Sequence, residues 1–144
     1  MKAAPYWGRF RLELVMKKME FIATDKAPAA VGPYSQAVRA AGFVYVSGQL
    51  GLVPATGAFA GPDFEAQARQ ALANVGAILA ASGCGVTDIV SVDVFVTDLS
   101  NFKLFNAIYD EFMAGHRPAR AAVQVSALPL GGVVEVKCVA VANP

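Results

Sequence analysis

Apolar residues recur along this chain with two different periods, and the switch between them marks out helices and strands. Phe64, Ala68, Ala71, Leu72, Val75, Ile78 and Leu79 are spaced to share one face of a helix. Asp63 stands in the N-cap position before them, and Glu65 falls in the first turn, where a carboxylate suits the positive end of the helix dipole. Gly83 supplies a C-terminal stop. A second stripe, Phe102, Phe105, Ile108, Tyr109, Phe112 and Met113, predicts another helix, with Ser100 as its cap and Gly115 as its end. Elsewhere the period drops to two. Val90, Val92, Val94 and Val96 alternate onto one face of a strand over 89–97. Residues 21–22, 35–40, 43–47, 119–125 and 133–142 read as further strands, with a loop over 26–34 and a turn-rich stretch over 50–62, both rich in Gly and Pro.

The order is strands, helix, strand, helix, strands. Each helix joins two strands, so right-handed crossovers place both helices on one face of a mixed α+β sheet. The other face is then apolar and uncovered, and burial between subunits is the expected solution. The aromatic and aliphatic stripes are read as core rather than as a cofactor box.

A chain of 144 residues is one domain's worth, and 56% hydrophobic with 16% charged residues is short of charge for a soluble domain. No apolar run is long enough to span a bilayer. The net charge of +1 hides an asymmetry. Residues 1–18 carry five basic residues against Glu13, +4, which leaves seven basic against ten acidic, −3, for the rest. A body without basic excess argues against nucleic acid as its ligand. Residues 1–18 read as an added segment or an upstream start, because Met16 and Met19 offer later ones. Two cysteines, Cys84 in a Gly-Cys-Gly loop and Cys138 in a valine-rich strand, make no secreted disulfide framework, so a reducing cytoplasm is the default. With His116 they make no recognisable metal site.

Candidate chemistry is sparse. Pro118 fixes its own φ and biases Arg117 towards extended geometry, so a strand begins at Ala119 or Arg120. Arg120 then offers a fork of donors to a carboxylate or phosphate from a rigid element, or it is a solvated surface arginine. Glu135 lies in a largely buried strand and shares a face with Lys137. It is either that lysine's ion-pair partner or a carboxylate able to orient or deprotonate water. His116, the only imidazole, reads as a solvated helix cap.

Several stretches resemble one known family. Ala27-Pro28-Ala29-Ala30-Val31-Gly32-Pro33-Tyr34-Ser35-Gln36-Ala37, Val46-Ser47-Gly48-Gln49, the run from Gln67 to Val75, Pro118-Ala119-Arg120, and Leu128-Pro129 followed by Val134-Glu135 resemble the RidA (YjgF) reactive-imine deaminases, in order, from Met19 to the C-terminus. The resemblance implies a chorismate-mutase-like α+β fold and a homotrimer whose sheets pack inwards as a barrel, with clefts between neighbours. It implies hydrolysis of 2-imino acids such as 2-iminobutanoate and 2-iminopropanoate, or their enamine tautomers, to 2-keto acids and ammonia, sparing pyridoxal-phosphate enzymes from damage. By matching motif, Arg120 grips the substrate carboxylate. Tyr34, Ser47, Gly48 and Asn106 line the cleft, and Glu135 holds the attacking water. Ala122, where some relatives carry Cys, contributes mainly backbone. No metal or other cofactor is implied, since a protonated imine is already electrophilic. The alternatives are a non-catalytic, chaperone-like trimer that binds small carboxylates, and an endoribonuclease acting as a translation inhibitor.

Overall fold

The computed structural model describes residues 18–144, so the segment read as an extension lies, apart from Lys18, outside the described residues. Six strands form one sheet: β1 (Glu20–Ile22), β2 (Ala37–Ala40), β3 (Phe43–Leu50), β4 (Ile89–Val96), β5 (Ala119–Gln124) and β6 (Val134–Val141). Their order across the sheet is β1-β2-β3-β6-β4-β5. Helix α1 (Phe64–Ala81) leads from β3 to β4, and α2 (Phe102–Met113) leads from β4 to β5. β6 pairs antiparallel with both β3 and β4, while β4 and β5 are parallel. The last strand is therefore inserted between the two strands that the first helix connects. This mixed sheet with its two helices is the α+β arrangement expected.

Alternation decides which side of each strand is core. In β6, Val134, Val136, Cys138 and Ala140 are buried, and in β4, Val92, Val94 and Val96 are buried. α1 packs on β3 and β6 with Ala68, Ala71, Leu72, Val75, Ile78 and Leu79, and α2 packs beside α1 with Phe105, Ile108, Tyr109 and Met113. All of these belong to one hydrophobic core. The opposite face carries Phe43, Tyr45, Phe95, Val123, Val139 and Val141, and no helix among the described residues lies over it. It is less apolar than the sequence suggests, because Glu135 and the pair Asp93–Lys137 share it.

Some local expectations need correction. Asp63 caps α1 as expected, accepting a hydrogen bond from the Ala66 N–H at 3.1 Å. Ser100, however, does not cap α2. It lies inside a 3-10 turn over Leu99–Asn101, and Asp98 accepts the Ser100 N–H at 2.8 Å. Ala114 and Gly115 both take left-handed φ, 49° and 93°, so the helix ends one residue earlier than the glycine marks. Val90 does not join the buried valines. A register irregularity between Ile89 and Ser91 turns it outwards, and it is 41% exposed. β3 continues past residue 47 to Leu50, with a shift of register across Ser47–Gly48.

Two buried polar side chains of α1 satisfy the backbone that follows β3. The Asn74 amide donates to the Leu50 and Leu52 carbonyls at 3.0 and 2.9 Å. The Gln67 side chain donates to Gly61 O and accepts from Val133 N–H, both at 3.1 Å. Buried backbone groups need such partners, and these four bonds tie the turn-rich stretch and the start of β6 to the helix.

Candidate active site

Among the described residues β5 is an edge strand paired only to β4, and Arg120 sits opposite Val92. Val92 points into the core, so Arg120 points to the helix side and runs under α2. Its guanidinium carbon lies 4.7 Å from the Tyr109 ring centroid and 5.6 Å from that of Phe102. Among the described residues no carboxylate lies within ion-pair distance of it. A cleft of about 570 Å³ opens there, lined by Arg120, Asn106, Tyr109, Asp110, His116 and Arg117 among others. The Asn106 Oδ1 and the Tyr109 hydroxyl are buried without a hydrogen-bond partner among the described residues. Burial pushes the Tyr109 phenol up, with Arg120 pulling partly against it. An unpaired cation beside an unpaired hydroxyl and an unpaired carbonyl oxygen is a costly arrangement for a folded chain; the guanidinium and hydroxyl suit an anionic group, and the Asn106 oxygen suits an N–H donor of the same small molecule.

His116 is not a solvated cap. Its Nε2 donates to the Ile89 carbonyl at 2.7 Å, which pins the α2–β5 connection to the start of β4. Arg117 reaches Asp110 at 3.1 Å on the cleft rim. Ala122 does not line the cleft. It stands opposite Val94, and its methyl group packs against the core.

A second group of residues gathers around the irregularity in β3. Glu135 lies against Gly48 so closely that a Cβ there would come within 1.9 Å of its Oε1. Burial raises the Glu135 carboxyl above its usual range, and Lys137 partly offsets this. Lys137 is not its ion-pair partner, because the ammonium sits 3.9 Å from Asp93 instead. The reason is register: Lys137 stands directly opposite Asp93, whereas Glu135 stands opposite Phe95 and Leu50. The Ser47 hydroxyl donates to the Ser35 carbonyl at 2.5 Å and its N–H to the Gln36 carbonyl at 2.9 Å, so Ser47 anchors the loop that carries Tyr34. Tyr34 is half exposed and, with Gly48, Gln49, Leu50 and Leu130, lines a separate pocket of about 220 Å³. Gln36, 4% exposed, holds this loop. Its amide donates to Thr24 O, Ala27 O and Pro28 O, and its Oε1 accepts from Thr24 N–H. Its place in a motif was visible in the sequence; its role as the loop's internal brace was not.

The candidate residues thus fall into two sets. Arg120 and Asn106 lie under α2 on the helix side of the sheet, whereas Glu135 alternates with buried Val134 and Val136 and points to the open side. Register separates them further: Arg120 is level with Val92 and Glu135 with Phe95, and β4 lies between their two strands. A single chain does not bring the guanidinium and the carboxylate into one cleft.

Comparison with known proteins gives this arrangement its context. The family model for endoribonuclease L-PSP matches residues 24–142. The chain is 46% identical over 125 residues to the 2-iminobutanoate/2-iminopropanoate deaminase of Bos taurus, covering 87% of this chain and 91% of that protein. The chain belongs to the RidA (YjgF) family. Solved structures of this family superpose on it closely. RidA from an Antarctic Psychrobacter species matches with a TM-score of 0.82 and 48% identity, over 85% of this chain and 98% of that one. E. coli TdcF with bound serine matches with a TM-score of 0.82 and 40% identity, over 86% and 99%. Of the motifs read from the sequence, Arg120 falls in the first set and Ser47, Gly48 and Glu135 in the second, and Gln67 and Asn74 of α1 brace the backbone next to the second. No helix among the described residues is long and apolar enough to cross a membrane.

Proposed function

We propose that residues 19–144 form a deaminase that hydrolyses 2-imino acids, with 2-iminobutanoate and 2-iminopropanoate as the substrate type, to 2-keto acids and ammonia. In this reading it works as a homotrimer with no cofactor, in a reducing cytoplasm, where it clears imines that would damage pyridoxal-phosphate enzymes. The Bos taurus relative is named for that activity, and TdcF holds serine, a small α-amino acid. The observation that carries the proposal is the Arg120 guanidinium, unpaired beside two unpartnered dipoles at the edge of the sheet.

The site is completed across a subunit seam. Arg120 and Asn106 come from one protomer, and Glu135, Gly48, Ser47 and Tyr34 from its neighbour. Arg120 takes the substrate carboxylate in a bidentate grip. The protonated imine carbon then faces a water held by Glu135. As the water oxygen bonds to that carbon, Glu135 accepts one of its protons, and the C=N π electrons pass to nitrogen. The resulting carbinolamine collapses. The proton on Glu135 passes to nitrogen, the C–N bond breaks as the freed carboxylate takes the hydroxyl proton, and that proton then passes to the departing ammonia, leaving a keto acid and ammonium. Holding carboxylate and water in register supplies the proximity advantage, and the carboxylate base adds roughly 10²–10⁴-fold.

Arg120→Ala tests this. Imines are generated by an amino-acid oxidase and trapped with semicarbazide. The wild type suppresses trapping, and the folded variant does not. Suppression by the variant at the wild-type rate would remove the carboxylate anchor. The family model's name favours a second reading, RNA cleavage. The body's charge of −3 opposes it, and RNA cut by a chain lacking residues 1–18, with a steep salt dependence, would establish it.

A further inference from the structure

An arginine that must catch an anion faces a conflict. Its long side chain has to be held still, yet a carboxylate that tethers it would neutralise the charge and occupy the donors the substrate needs. Arg117 shows that usual solution, paired to Asp110 at 3.1 Å. Arg120 has none of this, although it sits on an edge strand with a cleft beside it. What lies against it is Tyr109, whose ring is 4.7 Å from the guanidinium carbon. Tyr109 is 9% exposed, and its own ring is fixed by Phe105 at 5.6 Å between centroids. The Tyr109 hydroxyl meets no partner, so the residue does not owe its place to a hydrogen bond. An aromatic face attracts a guanidinium through its π electrons and uses none of the five N–H donors.

We propose that Tyr109 is a positioning residue for substrate binding. Its ring face holds the Arg120 guanidinium at the cleft while leaving its charge and donors free for the substrate carboxylate. The inference rests on the anchor role of Arg120 proposed above. It differs from a core-packing role because it depends on the ring's electrons rather than its volume.

The test uses the full chain and 2-ketobutanoate, the keto acid product, as a calorimetric probe, with KM and kcat from the semicarbazide assay. Tyr109→Phe keeps the ring face and loses only the hydroxyl, so it is expected to lose clearly less affinity, and to raise KM clearly less, than Tyr109→Leu. Tyr109→Leu removes it and is expected to weaken 2-ketobutanoate binding and raise KM by roughly 2- to 30-fold, with kcat little changed. Should the leucine variant fold poorly, trifluorophenylalanine at position 109 keeps the shape and drains the π face, and the same rise in KM is expected. Affinity for 2-oxobutanamide, which lacks the carboxylate, is expected to be unmoved in every variant. Unchanged keto-acid binding in the leucine or the fluorinated protein overturns the proposal, as does a phenylalanine variant that loses as much as leucine. If Arg120→Ala itself binds 2-ketobutanoate normally, the anchor reading has failed rather than the role of Tyr109.

Discussion

Glu135 shows how one carboxylate ties stability to chemistry. Its folded value is raised by burial, so between the unfolded and folded values the native state holds more protons than the unfolded chain. Stability from this group therefore falls as pH rises through that window, and above it the cost is fully present. Glu135→Gln removes the cost. Calorimetry at pH 7 is expected to show a higher Tm than the wild type, with the gap closing as pH drops below the ordinary glutamate value of about 4.3. The same variant is expected to lose roughly 10²–10⁴-fold in turnover. The wild-type rate should climb with pH through an apparent pKa above that ordinary value; a flat profile across it would remove the base. Arg120 and Glu135 were legible in the sequence as charged residues in largely apolar strands, although only the family resemblance assigned either a role. Tyr109 was not. An aromatic at helical spacing reads the same whether it fills a core or also supports a cation, and only the register of β5 under α2 distinguishes the two.

Elements were legible where a single period ran uninterrupted, as in α1 with its Asp63 cap. They were misread where short irregular pieces intervene. The 3-10 turn before α2 moves the capping role from Ser100 to Asp98, and the irregular start of β4 turns Val90 out of the valine row. Neither leaves a mark in a hydrophobic pattern. Two glycines near the end of β3 look alike in sequence and are held for different reasons. A Cβ on Gly51 would lie 2.4 Å from Gln67 O and 2.5 Å from its Cα, against the backbone of a packed helix that cannot yield. A Cβ on Gly48 would meet the end of the Glu135 side chain, which can swing away. Gly51→Ala is therefore expected to lose about 1–3 kcal/mol or more in urea unfolding. Gly48→Ala is expected to leave the midpoint nearly unchanged while turnover falls sharply, because the displaced group is the proposed base. Equal losses of stability would contradict this division.

At the scale of the whole molecule, strand alternation sets the logic. Side chains along a strand point to opposite faces, so placing Arg120 with Val92 and Glu135 with Phe95 sends them to opposite sides of one sheet. The sequence placed both residues and showed that a sheet face would be left uncovered. It did not show that Arg120 and Glu135 cannot meet within one chain, because that follows from β6 entering between β3 and β4, and the order of strands is not written in any local pattern. In the homotrimer proposed above, a ring of heterologous contacts would solve the problem, with the helix side of one edge strand meeting the open face of the next subunit.

Mixing Arg120→Ala with Glu135→Gln protein under conditions of subunit exchange tests this shared seam most directly. Each variant alone is expected to be inactive. In an equimolar mixture, about one seam in four pairs an intact arginine with an intact glutamate, so imine hydrolysis should return to about a quarter of the wild-type rate. A mixture that exchanges subunits yet stays as inactive as its components would contradict the account.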